Sequence, residues 1–167
     1  MNKRKTAQHT YSAITEFRGD YAFLSNFYHA EVFYRGYWYA NNEAAFQAQK
    51  TISARERQRF CSSVLSNPTE AKKLGRKIAI RPDWEQIKLQ CMYEICMSKF
   101  MQHPELRNAL LATGESVLIE GNTWGDRYWG MVDGRGTNNL GIILMDIRNK
   151  LGAEKDFITE SAIRKEG

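Results

Sequence analysis

The sequence predicts a mainly helical α+β domain with a small antiparallel β component. Three observations carry that prediction. Short aromatic and β-branched segments fill residues 14–39, and apolar residues at helical spacing dominate from residue 42 onward. The third is size: 167 residues with 43% hydrophobic content suffice for one domain with a real core. Residues 1–13 read as a flexible basic arm, 14–152 as the domain and 153–167 as a polar C-terminal tail.

Taken in order, I-T-E-F-R-G (14–19), Y-A-F-L-S-N-F (21–27) and E-V-F-Y-R-G-Y-W-Y (31–39) are short, extended and rich in strand formers. Arg35-Gly36 supplies the turn of a hairpin. Ser25 and Asn26, between Leu24 and Phe27, suggest a buried polar turn, for which simple turn chemistry is the plainer account. Asn42 caps a helix through N-E-A-A-F-Q-A-Q-K (42–50), and Ser53 caps the charged A-R-E-R-Q-R-F. Asn67-Pro68 opens another helix that ends near Leu74-Gly75. Asp83 caps the longest helix, where Trp84, Ile87, Cys91 and Ile95 form an apolar stripe that Lys99 continues. His103-Pro104 ends it, P-E-L-R-N-A-L-L makes a short helix, and S-V-L-I-E is a strand closing on Glu120. Asn138 begins the last helix, with Leu140, Ile143, Leu144, Ile147 and Leu151 as its core stripe.

Composition narrows the setting. Cys61, Cys91 and Cys96 are odd in number and lack C-x-x-C spacing, which argues for reduced thiols in a cytoplasmic protein. The three histidines are isolated, so no structural metal is expected, and no dinucleotide or Walker A fingerprint calls for a nucleotide cofactor. No apolar run approaches the ~20 residues of a membrane span, and the first residues lack the apolar block of a signal peptide. Of the formal charge of +5, three units come from Lys3, Arg4 and Lys5, while the tail carries −1. The body is thus mildly basic, which suits a phosphate-bearing partner without demonstrating one.

Two stretches stand apart. On the helix from residue 42, Glu43, Phe46, Gln47 and Lys50 share one face, opposite Ala44, Ala45, Ala48 and Ile52. An ordinary surface helix would turn that polar face to water; the alternative is a site with an acid, an amide and an amine, walled by nearby aromatics. Residues 121–136, G-N-T-W-G-D-R-Y-W-G-M-V-D-G-R-G, hold five glycines and two tryptophans and cannot form a regular element. Such a loop lets backbone N–H groups approach a ligand while indoles supply stacking area. Gly136 to Asn138, where loop meets helix, is a candidate anion site. Arg76, at a helix end, answers the dipole or contacts a phosphate. Lys99 either snorkels to solvent or presents an amine at a pocket rim.

These motifs, in this order, resemble the NADAR (YbiA-like) family. The resemblance spans about Phe17 to Leu151 and rests on F-R-G-x-x-x-F-L-S-N-F, E-x-x-F-Q-A-Q-K, D-W-E, S-K-F and L-R-N-A-L-L-A-T-G. It continues through G-D-x-Y-W-G and G-x-N-N-L-G-x-x-L-M-x-x-R. It implies a compact YbiA-like domain and metal-free cleavage of N-glycosidic bonds in phosphorylated ribosyl compounds. Two substrate classes go with the family: ADP-ribose on guanine, and ribosylamino-pyrimidine phosphates of early riboflavin biosynthesis. By matching position, the polar site comprises Glu43, Lys50, Trp84, Asp126, Trp129 and Gly130. Asn26, Gln47, Arg76 and Lys99 are further substrate-binding candidates.

The chemistry needs these residue types. Departure of a nitrogen base from C1′ leaves an oxocarbenium-like sugar that a carboxylate stabilises while an acid protonates the leaving group. Glu43 and Asp126 are the candidate pair. An amine can instead attack C1′ or the opened sugar and form an imine, as the family is thought to do on ADP-ribosyl substrates. Lys50 is first choice for that amine, because it shares a face with Glu43, and Lys99 is second. The reading is a cytoplasmic N-glycosidase with ADP-ribosylated guanine preferred, free or in DNA or another nucleic acid. Hydrolysis of the riboflavin intermediates is the alternative, and a non-catalytic module binding ADP-ribose or nucleic acid is a rival of another class.

Overall fold

The structure, a computed structural model, describes residues 12–163, with side chains through Glu154. The expected basic arm therefore lies outside the described residues except for Ser12 and Ala13, and Ala13 already belongs to a strand. Strand β1 (Ala13–Ile14) pairs in parallel with β4 (Val117–Leu118), setting Ala13 opposite Val117 and Ile14 opposite Leu118. This parallel pair supplements the expected antiparallel hairpin of β2 (Val32–Tyr34) and β3 (Tyr37–Tyr39). Arg35 and Gly36 join the hairpin at φ 46° and 88°. Two positive φ values match the twist of the flanking strands, and glycine reaches its value without strain. Val32, Tyr34 and Tyr39 face the core, while Phe33 and Trp38 lie exposed against each other on the outer side.

One extended segment is not extended. Gly19–Leu24 winds into a 3-10 turn, where Ser25 N–H donates to Ala22 O. A short stretch without a neighbouring strand satisfies its backbone locally, and this one buries only Phe23 and Leu24.

The central helix α1 (Asn42–Ala48) begins one residue after its cap, which is Asn41 rather than Asn42. Asn41 Oδ1 accepts the Ala44 N–H at 2.9 Å, and its Nδ2 donates to Ser66 O. Every residue of α1 is buried, because the helix lies inside against α3 and α4. The surface-helix reading fails for that reason. Ile52 is 73% exposed, since the helix ends before reaching it.

Ser53 caps α2 (Ala54–Gln58), and Asn67 caps α3 (Pro68–Gly75) by accepting from Thr69 and Glu70 N–H, both as expected. Asp83 does not cap α4 (Trp84–Gln102) through its side chain; Arg81 holds that carboxylate in two hydrogen bonds of 2.6 and 2.8 Å. α5 (Pro104–Ala112) follows at His103-Pro104. The longest helix is α6 (Asn139–Ile163), with 25 residues against 19 in α4. It starts at Asn139 because Asn138 sits at φ 53°, and its backbone continues past Gly152. Leu140, Ile143, Leu144, Ile147 and Leu151 are all buried, as the stripe requires. Helix α4 packs on α6 and on α1, and this stack carries the core. The three cysteines are unpaired. Among the described residues no helix is long and apolar enough to cross a membrane.

Candidate active site

A cleft of about 790 Å³ opens where α1, α3 and α4 meet the segment 17–27 and the loop after β4. Glu43, Phe46 and Gln47 line it from α1, and Lys50 joins them from the turn just after the helix, which ends before reaching it. Burying that face requires close neighbours. At Gly75 of α3 an added Cβ would lie 1.8 Å from Gln47 Oε1, so only glycine admits the amide there. Gln47 Nε2 then donates to Glu43 Oε1 at 2.8 Å, and the Glu43 N–H donates to Asn26 O at 3.0 Å. Asn26 is buried on the cleft wall, with its amide beside Met92 Sδ and the Asn42 amide.

Electrostatics follow from this burial. Desolvation pushes the Glu43 carboxyl above the usual carboxylate range, against the Gln47 hydrogen bond and the charges of Lys72 and Lys50. Desolvation likewise holds the Lys50 ammonium below an ordinary lysine, although Glu43 opposes it; Arg76 and Lys72 add to the fall. Burial thus outweighs the nearby carboxyl at Lys50. Among the described residues none of Lys50, Lys72 and Arg76 forms an ion pair.

The aromatic wall is built round Phe46. Its ring lies 5.0 Å from that of Trp84 and 5.3 Å from that of Trp129, the latter edge-on. Both indoles line the cleft, but they differ in exposure. Trp84 is 7% exposed and packs in the core, whereas Trp129 is half-buried.

Asp126 reaches the same cleft from the glycine-rich loop, over eighty residues from Glu43. Asn122 fixes it from both sides, accepting the Asp126 N–H at 3.0 Å and donating to Asp126 O at 2.7 Å. Asp126 Oδ1 in turn accepts the N–H groups of Tyr128 and Trp129. One carboxylate oxygen is therefore committed to folding the loop.

Four candidates are not cleft-lining. Lys99 is 1% exposed, donating to Phe23 O at 2.5 Å and Ser25 O at 3.2 Å, so it braces the turn that carries Asn26. It neither snorkels nor rims the pocket, because α4 carries it beneath that turn. Gly130 is a packing glycine: a Cβ there would lie 2.1 Å from Glu120 O. Gly136 and Asn138 do not make an anion site, because loop carbonyls already take the N–H groups at this helix start. Asn138, Asn139 and Leu140 donate to Gly130, Tyr128 and Trp129 carbonyls. The Asn138 side chain instead accepts the Glu120 N–H at 3.0 Å and donates to Leu118 O at 2.8 Å.

Glu120, Arg18, Lys72 and Lys88 line the cleft without having been singled out from the sequence. Lys72 was within reach, since it precedes Arg76 by four residues across the end of α3. Glu120 was visible only as the last residue of a strand. Its Oε2 is buried without a hydrogen-bond partner, and burial first, then Asp126, pushes its carboxyl up to about 7 against Lys72 and Arg18.

Comparison with known proteins agrees with this architecture. A family model for the NADAR domain matches residues 10–152. The chain is 38% identical over 139 residues to N-glycosidase YbiA of Escherichia coli (strain K12), covering 81% of this chain and 85% of that one. It is 34% identical over 135 residues to a riboflavin biosynthesis protein of Vibrio vulnificus (strain YJ016), covering 79% of this chain but only 36% of that longer one. The NMR structure of E. coli YbiA superposes with a TM-score of 0.74 at 34% identity, covering 89% of this chain and 93% of that one.

Proposed function

The chain belongs to the NADAR family, and from that membership we propose that it is a metal-independent N-glycosidase acting on phosphorylated ribosyl compounds. One observation carries the reading. A buried carboxyl, Glu43, and a half-buried amine of lowered basicity, Lys50, line one cleft with Lys72 and Arg76, cations that have no ion-pair partner among the described residues. Unpaired cations beside a cleft favour phosphate oxygens, with Arg76 able to engage two at once. Glu43 stabilises positive charge growing on the sugar as the base leaves C1′. Lys50 is placed to attack the opened sugar and hold it as an imine until water releases it. Trp129 offers a partly open indole for stacking on a base.

ADP-ribosylated guanine, free or in nucleic acid, is the preferred substrate, because a pyrophosphate matches the clustered cations of a mildly basic body. A second reading has its own support: the Vibrio relative is a riboflavin biosynthesis protein, which favours the ribosylamino-pyrimidine phosphates. The test is to incubate the protein with each substrate class in the presence of EDTA and separate products by chromatography. Release of free base, faster from the ADP-ribosylated guanosine, is expected. Retention of ADP-ribose without turnover of either substrate would make the protein a binding module and overturn the proposal.

A further inference from the structure

Glu120 lies two residues beyond β4, on a segment held tightly from several sides. Its N–H donates to Asn138 Oδ1 at 3.0 Å, and its carbonyl accepts the Met131 N–H at 2.9 Å. Three glycines allow backbone to pass directly against backbone along the segment 118–121. A Cβ at Gly121, Gly130 or Gly141 would stand 2.1 Å from the carbonyl oxygen of Thr15, Glu120 or Leu118 respectively. The side chain so fixed lines the cleft, and its Oε2 is buried with no hydrogen-bond partner among the described residues. A buried carboxyl oxygen without a donor is poor company for a negative charge, and Asp126 nearby makes it poorer. Glu43 differs in having the Gln47 amide as a donor, while Lys72 bears on both carboxyls. Burial raises both carboxyls, and only Glu43 has a side-chain donor that steadies its charged form against that rise, so Glu120 is the one suited to hold a proton for donation. Asp126 is committed elsewhere, with Oδ1 accepting the N–H groups of Tyr128 and Trp129 in its own loop.

We propose that Glu120 is the general acid of the site, donating its proton to the nitrogen that departs from C1′. The inference rests on the glycosidase reading. As the C1′–N bond breaks, its electron pair passes to nitrogen, which takes the Glu120 proton. A water oxygen bonds to C1′ and gives a proton to Glu43; solvent then reloads Glu120 and relieves Glu43. Where Lys50 attacks first, the same nitrogen still leaves and needs the same proton. Asn138 and Gly130 thereby become positioning residues for Glu120.

The test uses Glu120→Gln, with melting curves to establish folding and Glu120→Asp as a second variant. In the wild type, turnover of the ribosyl-base substrate falls as pH rises through about 7, because the acid loses its proton. Glu120→Gln is expected to lose on the order of 10²-fold or more in kcat and to show no such limb. The same variant should keep turnover of 4-nitrophenyl riboside 5-phosphate, whose leaving group needs no proton. Glu120→Asp should slow the reaction but retain the limb. An unchanged rate and limb in Glu120→Gln would overturn the proposal. A 13C carboxyl titration without substrate decides the matter separately. A resonance titrating near 7 that vanishes in Glu120→Gln, or moves in Glu120→Asp, supports it. If the resonance lost in Glu120→Gln titrates within about one unit of an ordinary glutamate, it falls. Failure of the wild type to cleave any substrate would sink the glycosidase reading, while the titration would still judge Glu120.

Discussion

Gln47 donates its side-chain amide to Glu43 Oε1 at 2.8 Å, one turn along the same buried helix. The bond fixes the carboxyl at the cleft and supplies one of the few donors it has. Glu43→Gln keeps the shape and removes the charge, so it should lower kcat by on the order of 10²-fold or more with the fold intact. Stability adds a second readout. A carboxyl raised by burial contributes stability that is full below its unfolded pKa and is lost as pH rises through the folded value. Melting of Glu43→Gln should therefore gain on the wild type as pH rises from 4 to 7, and an opposite trend would contradict the burial assignment.

The two indoles of the wall should separate binding from folding. Trp129, half-buried at the cleft, should on replacement by Ala weaken ligand binding by about 1–3 kcal/mol if it stacks on a base. Trp84, almost fully buried against Phe46, should instead cost about 3–5 kcal/mol of stability when replaced by Ala. Calorimetric binding alongside denaturant melts distinguishes them; equal stability losses with no change in affinity would remove Trp129 from recognition.

Lys50 is the expected site of covalent trapping. Incubating the protein with substrate and borohydride, then mapping peptides by mass spectrometry, should give an adduct on Lys50 that disappears in Lys50→Ala. Turnover without an adduct on any lysine would leave direct hydrolysis by the carboxyls as the mechanism. Lys99 should never be labelled, because its amine is enclosed against the Phe23 and Ser25 carbonyls.

Lys99 matters to stability instead. Lys99→Met leaves those two carbonyls without their donor, at about 1–3 kcal/mol for each group left unsatisfied. Burial lowers the lysine to about 8. Between there and the ordinary lysine pKa the unfolded chain binds more protons than the folded one, so wild-type stability rises with pH. Chemical denaturation across pH 7.5–10.5 should show the wild type gaining on Lys99→Met; a constant difference would mean that the amine is not held in a desolvated state.

Much of this was legible in the sequence because local chemistry dictated it. Caps at Ser53 and Asn67, the Arg35-Gly36 turn and the core stripe of α6 depend on residues within a few positions of each other. The shared face of Glu43, Phe46 and Gln47 followed from helical spacing; Lys50 reaches the same cleft from the turn after the helix. What misled was tertiary context. Asn138 resembles a helix start that could receive an anion, but distant loop carbonyls occupy its N–H groups. Lys99 continued an apolar stripe whose end lies under a backbone turn some seventy residues away. Gly130 sat within a motif that suggested ligand contact, yet it serves a backbone crossing. Glu120 was passed over because nothing local marks an acid whose orphaned oxygen arises from the folding of the loop around it.

The pairing of Ile14 with Leu118 ties the start of the domain to the strand that leads into Glu120. Asn138 then clasps Leu118 and Glu120 from the beginning of the last helix. A ribosome delivers Glu43 and Lys50 early, but the opposite wall has no anchor until the chain has grown past residue 138. Such long-range closure is slow compared with forming local helices. The wall opposite Glu43 and Lys50 therefore depends on contacts drawn from both ends of the domain at once.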